Sequence, residues 1–437
     1  MKQAVGFGLF GITCVMLSYV VIPQLTIIDY NPHSGEVMAT TSKHKRAPEE
    51  EILVISPDTR EIITHVPLPD AVKAIYMTSC VVGTIPFREK LVQLIDTTEV
   101  NAVIIDIKDY SGTISFSPTD SEWKSAWEAS ACGARDMKTF LAELHAKHIF
   151  VIGRVTVFQD PFYTKTHPEL AVKRASDGGV WKDRKGLSFI DVGAHPYWDH
   201  VVLLSRDAYN IGFDELNFDY VRYPSDGNMQ DIAFPQSMQS EYKNDKQANL
   251  EAFFQYLNEK LDDEALFADI RHEDTGRASS TPYTSVDLFG MTTTNTDDLS
   301  IGQVIERAAA HFDFVAPMVY PSHYPKSFLG LGNPNDYPYK VVHYAMQGGV
   351  NRMLATTTVV AGFAHTRIAT STPALYAKPA YSADKLRTWI QDFDYGGDYD
   401  ATDVQNQIQA SYDAGVKSWM IWAPSNIYTR EALLLAQ

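Results

Sequence analysis

Residues 213–224 read FDELNFDYVRYP, an apolar run followed by acidic, aromatic and basic side chains. The run Phe213–Phe218 has the length and apolar content of a buried strand, and Asp219 follows it directly. Asp214 and Glu215 precede most of its apolar side chains, so we expect structural roles for both. An apolar strand that ends in a carboxylate, an aromatic residue and an arginine is typical of a parallel sheet whose chemistry lies at the strand ends.

The same pattern of strands and helices continues from residue 70 to the C-terminus. The predicted strands are Val72–Ser79, Ala102–Ile107, Ile149–Val157, Phe213–Phe218, Ser285–Met291, Phe312–Tyr320 and Val416–Trp422, with an eighth at Leu386–Phe393. The helical patterns between them are Phe87–Thr97, Ala134–Lys147, His195–Asn210, Leu250–Lys260, Ile301–Ala310, Tyr339–Gln347 and Ala401–Ala414. This alternation implies right-handed βαβ units and a parallel sheet. Eight units predict an α/β fold of the (β/α)8 TIM barrel type over residues 66–437, with a doubly wound sheet as the alternative. Residues 355–380 fit least well, because Ala355–Gly362 could also be a strand.

Polar or aromatic side chains stand at or near the end of every predicted strand after the first. In a barrel these ends meet at one mouth, where catalytic residues gather. Besides Asp219 on the fourth strand and Asp287 on the fifth, the candidate substrate-binding residues are Asp106, Lys108, Asp109, Arg154, Arg222, Tyr320, His323, Trp389, Gln391, Trp422 and Asn426.

Such a ring of carboxylates suits the cleavage of glycosidic bonds. The reaction needs one carboxylic acid to protonate the leaving oxygen and one carboxylate to attack or to activate water. We assign Asp219 as the carboxylate and Asp287 as the proton donor. The alternatives are an ion pair of Asp219 with Arg154 or Arg222 and a buried, backbone-bonded Asp287. Asp106 and Asp109, at the end of the second strand, are alternative donors.

Aromatic residues make up 12% of the chain, which suits a cleft that binds sugars as well as a large core. Tyr320, Trp389 and Trp422 would stack their faces on sugar rings, and a polysaccharide or oligosaccharide is the expected partner. His323 is placed either to bind a substrate hydroxyl or to pack a loop.

Several motifs together resemble a bacterial family of glycoside hydrolases whose barrel domain was first catalogued as a domain of unknown function, DUF4015. The motifs lie at residues 74–78, 101–109, 167–171, 218–224, 318–324, 389–393, 413–416 and 422–426. The resemblance covers the chain from about residue 70 to the C-terminus. It implies a TIM-barrel hydrolase that acts on polysaccharides. Asp219 matches the position that related barrels use at the end of the fourth strand, whereas Asp287 stands where many related enzymes carry Glu.

The N-terminal segment predicts a membrane anchor. No charge separates Lys2 from Asp29, and Ala4–Ile28 is almost wholly apolar, which is long enough to span a bilayer. The early Lys favours a cytoplasmic N-terminus, with the barrel outside the membrane. The alternative is a cleaved signal peptide and a secreted protein, for which Val37-Met38-Ala39 is the nearest processing site.

Residues 1–29 are therefore predicted as an anchor or signal segment, and residues 30–65 as a polar stalk. Within and just beyond the stalk, residues 51–66 could form a short hairpin before the barrel domain.

Composition excludes several other classes of protein. Lys+Arg of 37 against Asp+Glu of 54 gives a net charge of −17, which repels phosphate backbones, so no nucleic-acid partner is expected. Cys80 and Cys132 are the only pair available outside the apolar segment, and free thiols are favoured over a disulfide. No metal or cofactor is expected, since the only H-x-x-H, His145 and His148, precedes a strand at the far end of the barrel. A cell-surface barrel that binds carbohydrate without catalysis remains the rival class, and a metal-dependent deacetylase is less favoured.

Overall fold

Eight parallel strands close into a barrel in the computed structural model, which describes residues 58–243 and 245–436. The strands are β1 (Lys73–Met77), β2 (Ala102–Lys108), β3 (Phe150–Thr156), β4 (Glu215–Asp219), β5 (Tyr283–Phe289), β6 (Phe314–Met318), β7 (Arg387–Gln391) and β8 (Ser418–Trp422). Each pairs with its neighbour in chain order, and β8 pairs with β1. The predicted (β/α)8 barrel is confirmed, and the eighth strand lies within Leu386–Phe393 as expected.

Helices between consecutive strands cover the outside of the barrel. They are α1 (Ile85–Asp96), α2 (Met137–His145), α3 (His195–Ile211), α4 (Lys246–Leu261), α5 (Ile305–Ala309), α6 (Pro338–Leu354) and α7 (Ala401–Asp413). Shorter helices lie at Ser79–Val82, Lys124–Glu128, Tyr163–Thr166 and Pro235–Gln239. The helix α3 shows how sequence sets the limits, since Pro196 stands in its first turn and Gly212 ends it with a φ of 116°.

Side chains alternate along each strand between the interior of the barrel and the layer beneath the helices. Successive side chains of a strand point to opposite faces. Tyr76, Ile104, Ile152 and Met420 belong to the cluster that fills the barrel, whereas the residues between them pack against the helices. The same alternation places every second residue of β4, including Asp219, inside the barrel.

A buried ion pair lies near the N-terminal ends of β4 and β7. Arg387 Nη1 donates to Glu215 Oε1 at 2.6 Å and to Oε2 at 2.8 Å, and the guanidinium lies 3.7 Å from the Phe314 ring centroid. Both charged side chains are fully buried. Glu215 thus has the structural role expected from its position at the start of the strand.

Asp214 ties the segment before β1 to the same end of the barrel. It accepts hydrogen bonds from Val66 N at 3.0 Å and Val151 N at 2.7 Å, and it contacts His65 Nδ1 and His145 Nε2 at 3.1 Å each. His145 therefore lies far from the strand ends that form the mouth.

The described part of the predicted hairpin pairs differently from the expectation. Ile62–Thr64 forms a two-stranded parallel sheet with Arg271–Glu273, a segment between α4 and β5. Residues 355–380 form a separate antiparallel sheet of Thr357–Thr358, Thr366–Ala369 and Leu375–Ala377 rather than a barrel strand.

Cys80 and Cys132 form a disulfide with a Cα–Cα distance of 4.5 Å, so the expectation of free thiols is wrong. The chain after β1 meets residues 130–134 at very short range. A Cβ built on Gly83 would lie 2.3 Å from the carbonyl oxygen of Gly133, and Gly133 N donates to Ser79 O at 3.0 Å. Two glycines thus allow the backbone contact that brings the cysteines together.

The predicted anchor Ala4–Ile28 and most of the stalk lie outside the described residues. Within residues 58–243 and 245–436, no helix is long and apolar enough to cross a membrane.

Candidate active site

Three carboxylates converge on Arg154, which projects from β3 into the mouth of the barrel. Arg154 Nη1 donates to Asp106 Oδ1 at 2.6 Å, and Nη2 and Nε donate to Asp219 Oδ2 at 2.5 and 3.2 Å. Its Nε also lies 3.9 Å from Asp287 Oδ2. Burial lowers the pKa of Arg154, but the charges of Asp219 and Asp106 outweigh it and hold the pKa well above its usual value. The structure thus brings together residues that the sequence placed at the ends of four different strands.

Asp219 is held by backbone and by Arg154. Its Oδ1 accepts a hydrogen bond from Tyr220 N at 2.6 Å, while Oδ2 accepts both bonds from Arg154. Tyr220 has a φ of 53°, in the left-handed region that non-glycine residues seldom occupy, and this turns the chain sharply after β4. The cationic partner of Asp219 is Arg154 rather than Arg222, which settles the choice that the sequence left open.

Asp287 lies beside Asp219 and is more deeply buried, with 1% of its side chain exposed against 8%. Its Oδ1 accepts hydrogen bonds from Trp389 Nε1 at 2.7 Å and from Asn217 Nδ2 at 2.9 Å. Burial, and then the negative charge of Asp219, raise the pKa of Asp287 to about 8, although Arg154 and the two donors act in the opposite direction. Because two N–H groups already occupy Oδ1, Oδ2 is the oxygen left to carry the proton.

The separation of the two carboxyl groups follows from their common neighbour. Since Arg154 Nε lies 3.2 Å from Asp219 Oδ2 and 3.9 Å from Asp287 Oδ2, these two oxygens are at most about 7 Å apart. Two-carboxylate glycosidases place the groups about 5–5.5 Å or 6.5–9.5 Å apart. The upper limit excludes a separation larger than the two-carboxylate mechanisms allow.

Asp106 stands on the other side of Arg154. It accepts hydrogen bonds from Arg154 and from the hydroxyl of Tyr76. Burial raises the pKa of Asp106 to about 6, although Arg154 and Tyr76 both favour its charged form. Asp106 does not border the cavity that Asp219 and Asp287 share, and its role as the alternative proton donor stays a prediction.

A cavity of about 350 Å³ opens above Asp219 and Asp287. Its aromatic lining consists of Tyr220, Phe289, Tyr320, Tyr324, Trp389 and Trp422, together with His323. Two further hollows of about 640 and 860 Å³ adjoin it, and Trp422 borders all three. Such an arrangement can hold several linked units of a ligand.

The aromatic residues differ in what they offer a ligand. Trp422 stacks on Tyr76 with ring centroids 4.2 Å apart and remains partly exposed. Trp389 is only 1% exposed, and its indole N–H is bound to Asp287, so its main contact is with the carboxyl group rather than with open space. Burial lowers the pKa of His323, which keeps its ring neutral at the cavity wall.

Three predicted substrate-binding residues border none of these hollows. Lys108 is fully buried, with Nζ 3.0 Å from Asp160 Oδ2. Gln391 Oε1 accepts from Ser322 Oγ at 2.7 Å, and Asn426 Oδ1 accepts from Thr78 N at 2.9 Å.

All three side chains contact neighbouring segments of the chain, and their assignment as substrate-binding residues stays a prediction. By contrast, Asp106, Asp109, Arg154, Arg222, Tyr320, His323, Trp389 and Trp422 each border at least one hollow.

Sequence reasoning missed Tyr76 and Asn217. Tyr76 bonds to Asp106, and Asn217 bonds to Asp287, so both shape the carboxylate cluster. Alternation along the strands was the available signal, because Asn217 stands two residues before Asp219 and therefore on the same inner face.

Residues 74–428 match the family model DUF4015, described as a putative glycosyl hydrolase domain. The chain belongs to this family. The resemblance found in its motifs is thereby confirmed, and membership supports a glycosidase function of a general kind, with a carbohydrate as the substrate.

Three solved structures of glycoside hydrolases are similar to this chain. The glycoside hydrolase domain of PgaB (BpsB) from Bordetella bronchiseptica is 10% identical, with a TM-score of 0.54 over 84% of this chain and 100% of that one. The spore cortex-lytic enzyme SleL from Bacillus megaterium QM B1551 is 9% identical, with a TM-score of 0.44 over 86% and 73% of the two chains. The α-galactosidase TtGalA from Thermus thermophilus is 11% identical, with a TM-score of 0.44 over 84% and 65%. At 10% identity the likeness to the PgaB domain shows a common fold. No curated protein matches the chain.

Proposed function

We propose that the chain hydrolyses glycosidic bonds of a polysaccharide with Asp219 as the attacking or charge-stabilising carboxylate and Asp287 as the proton donor. One observation carries this assignment. Two neighbouring carboxyl groups open into the same aromatic-lined cavity, one bonded to the Arg154 guanidinium and the other with a pKa raised by burial. Glycosidases need this division of roles between an acid and a carboxylate.

Asp219 is suited to the carboxylate role because Arg154 neutralises it. The two bonds from Arg154 occupy Oδ2, which leaves Oδ1 with a single bond from Tyr220 N. Oδ1 is therefore the oxygen available to attack the anomeric carbon or to orient a water molecule. In either case the negative charge stabilises the positive charge that develops on the sugar ring.

Asp287 is suited to the acid role because its proton stays on at neutral pH. The proton on Oδ2 passes to the glycosidic oxygen as the bond breaks. Asn217 and Trp389 then stabilise the resulting carboxylate through their bonds to Oδ1. The same two donors fix the plane of the carboxyl group before the reaction, which lowers the cost of orienting it.

A polysaccharide is the proposed substrate because the cavity continues into two larger hollows on either side of Trp422. Sugar units beyond the cleaved bond would lie there, and the partly exposed indole face would contact one of them.

We further propose that the barrel works outside the cytoplasm, attached by Ala4–Ile28 or released after cleavage of that segment. The disulfide between Cys80 and Cys132 supports this location, since structural disulfides persist in oxidising compartments. Sequencing the N-terminus of the mature protein would decide between attachment and release.

A polysaccharide screen tests the catalytic proposal. The full-length chain is incubated with bacterial cell-wall, capsular and storage polysaccharides, and new reducing ends are measured. We expect release from at least one polymer, and loss of that release in Asp219→Asn. Binding without any release by the wild-type chain would instead identify a carbohydrate-binding barrel.

A further inference from the structure

Arg222 presents a fixed cationic group to the wall between the catalytic cavity and the 640 Å³ hollow. Its guanidinium carbon lies 4.9 Å from the Tyr220 ring centroid and 5.0 Å from that of Phe289. Its Nη1 donates to Tyr223 O at 3.1 Å and to Ser225 Oγ at 3.2 Å. The aromatic contacts and these two bonds hold the group in one orientation.

The opposite edge of this guanidinium has no partner within the part of the chain that the structure describes. No described residue accepts a hydrogen bond from Nε or Nη2, and no described carboxylate lies within 4.0 Å of Arg222. These two N–H groups are parallel donors that match the two oxygens of a carboxylate. Burial lowers the pKa of Arg222, although the charges of Asp219, Asp183 and Asp226 act in the opposite direction, so an anion bound to Nε and Nη2 would favour the charged form further.

The acidic residues of the same hollow are already engaged. Asp109 accepts from Ser79 Oγ at 2.9 Å, and Asp226 Oδ1 lies 3.0 Å from Arg184 Nε.

Asp183 Oδ1 accepts from the backbone N–H groups of Lys185 and Leu187, at 2.8 Å each. These carboxylates therefore shape loops, whereas the cation of Arg222 is left for a ligand.

Lys185 adds a second cation to the hollow. It is exposed, it borders both hollows outside the catalytic cavity, and no described carboxylate pairs with its Nζ. A chain of sugar units running past Trp422 would meet both positive groups.

We propose that Arg222 is a specificity residue that binds a carboxylate on a sugar next to the cleaved bond, so that the substrate is an acidic polysaccharide. This inference rests on the proposed function, because it places the carboxylate next to the bond that is cleaved. Binding of the carboxylate is measured separately from cleavage. The carboxylate belongs either to a uronic acid or to a lactyl ether on an amino sugar.

The experiment compares acidic polymers with their carboxyl-reduced forms, which keep the same linkages. The probes are polygalacturonate, polyglucuronate, hyaluronan and peptidoglycan glycan strands, and chitosan serves as a cationic polymer. Binding to the full-length chain is measured by affinity electrophoresis, and bond cleavage by new reducing ends. Uronate polymers and glycan strands distinguish the two sources of carboxylate.

We expect at least one acidic polymer to bind tenfold or more tightly than its reduced form, and Arg222→Gln to abolish that difference. Arg222→Lys should recover only part of it, because one ammonium cannot donate two parallel bonds. Lys182→Gln is the matched control, since it removes a positive charge from the same loop as Lys185 at a position that borders none of the three hollows. Circular dichroism and thermal melting check that each variant is folded.

The outcomes separate this inference from the proposed function. Equal binding of acidic and reduced polymers, tighter binding of chitosan, or an unchanged preference in Arg222→Gln would overturn the carboxylate site. Preference without cleavage would overturn the hydrolase assignment and leave the carboxylate site standing. Cleavage of a neutral polymer at a rate that Arg222→Gln does not change would overturn the carboxylate site and leave the hydrolase assignment standing.

Discussion

The hydrogen bond from Trp389 Nε1 to Asp287 Oδ1 gives a direct test of the acid assignment. At 2.7 Å it stabilises the ionised carboxylate more than the protonated acid. Trp389→Phe removes this N–H and keeps an aromatic ring in a buried position. The protonated form of Asp287 is then favoured further.

The size of the effect follows from the energy of the bond. A hydrogen bond to a charged group contributes about 1.5–3 kcal/mol, and one pKa unit corresponds to about 1.4 kcal/mol. Loss of the bond should therefore raise the pKa of Asp287 by about one to two units from its value of about 8. Because the acid must be protonated to work, activity falls as pH rises through this pKa. In Trp389→Phe the alkaline fall in kcat/KM should lie at least one pH unit higher.

The assay is kcat/KM from pH 5 to 11 on a polymer or aryl glycoside that the wild type cleaves. Trp419→Phe is the matched control, since Trp419 is equally buried but its N–H donates to Tyr412 OH on the outer side of β8. If kcat/KM of Trp389→Phe decreases at the same alkaline pH as that of the wild type, or at a lower pH, the assignment of Asp287 as the acid is refuted.

The remaining predictions concern catalysis and stability. Asp287→Ala should lose less activity on an aryl glycoside with an acidic leaving group than on a natural linkage, because such a group needs little protonation; equal loss in steady-state kinetics would make Asp287 structural. Asp287→Asn should stabilise the fold increasingly as pH rises, because the folded-state pKa of Asp287 lies above its unfolded value. Between these two pKa values the free energy of unfolding of the wild type falls by about 1.4 kcal/mol per pH unit. Denaturant unfolding should show that the difference in this free energy between variant and wild type grows by roughly 2–3 kcal/mol from pH 5 to pH 7, and a constant difference would contradict this. Glu215→Gln should cost about 3–5 kcal/mol because it leaves Arg387 as a buried charge without its carboxylate, and a measured loss below about 1 kcal/mol would argue against a buried pair. Reduction of the Cys80–Cys132 disulfide, which joins residues 52 positions apart, should lower the free energy of unfolding by about 4 kcal/mol according to the loop-closure estimate. An unfolding midpoint that reductant does not change would show that the bond is absent in solution.

The sequence predicted the barrel and the approximate place of the site because both depend on local patterns. A period of two fixes which side chains of a strand face inward, and parallel strands bring their C-terminal ends together. Asp106, Arg154, Asp219 and Asp287 could therefore be assigned to one mouth before any contact was known.

Contacts between distant loops explain most of what the sequence did not predict. Lys108 stands at a strand end like the other candidates, but it pairs with Asp160 from the loop after β3. The disulfide required the close approach of Gly83 to Gly133, two positions in separate loops that carry no local signal of their proximity. The choice between Arg154 and Arg222 as the partner of Asp219 depended likewise on which side chain the folded backbone directs inward.

The bonds of Arg154 to Asp106 and Asp219, together with its nearness to Asp287, make substitutions at these positions epistatic. When one carboxylate is removed, the N–H group of Arg154 that it bound becomes available to the remaining carboxylates. Their electrostatic interaction with Arg154 changes as a result. The effect of a second substitution then depends on which one came first. Natural drift in this cluster should consequently proceed by correlated replacements, and a designer who wishes to transfer the acid to another strand must alter the arginine in the same step.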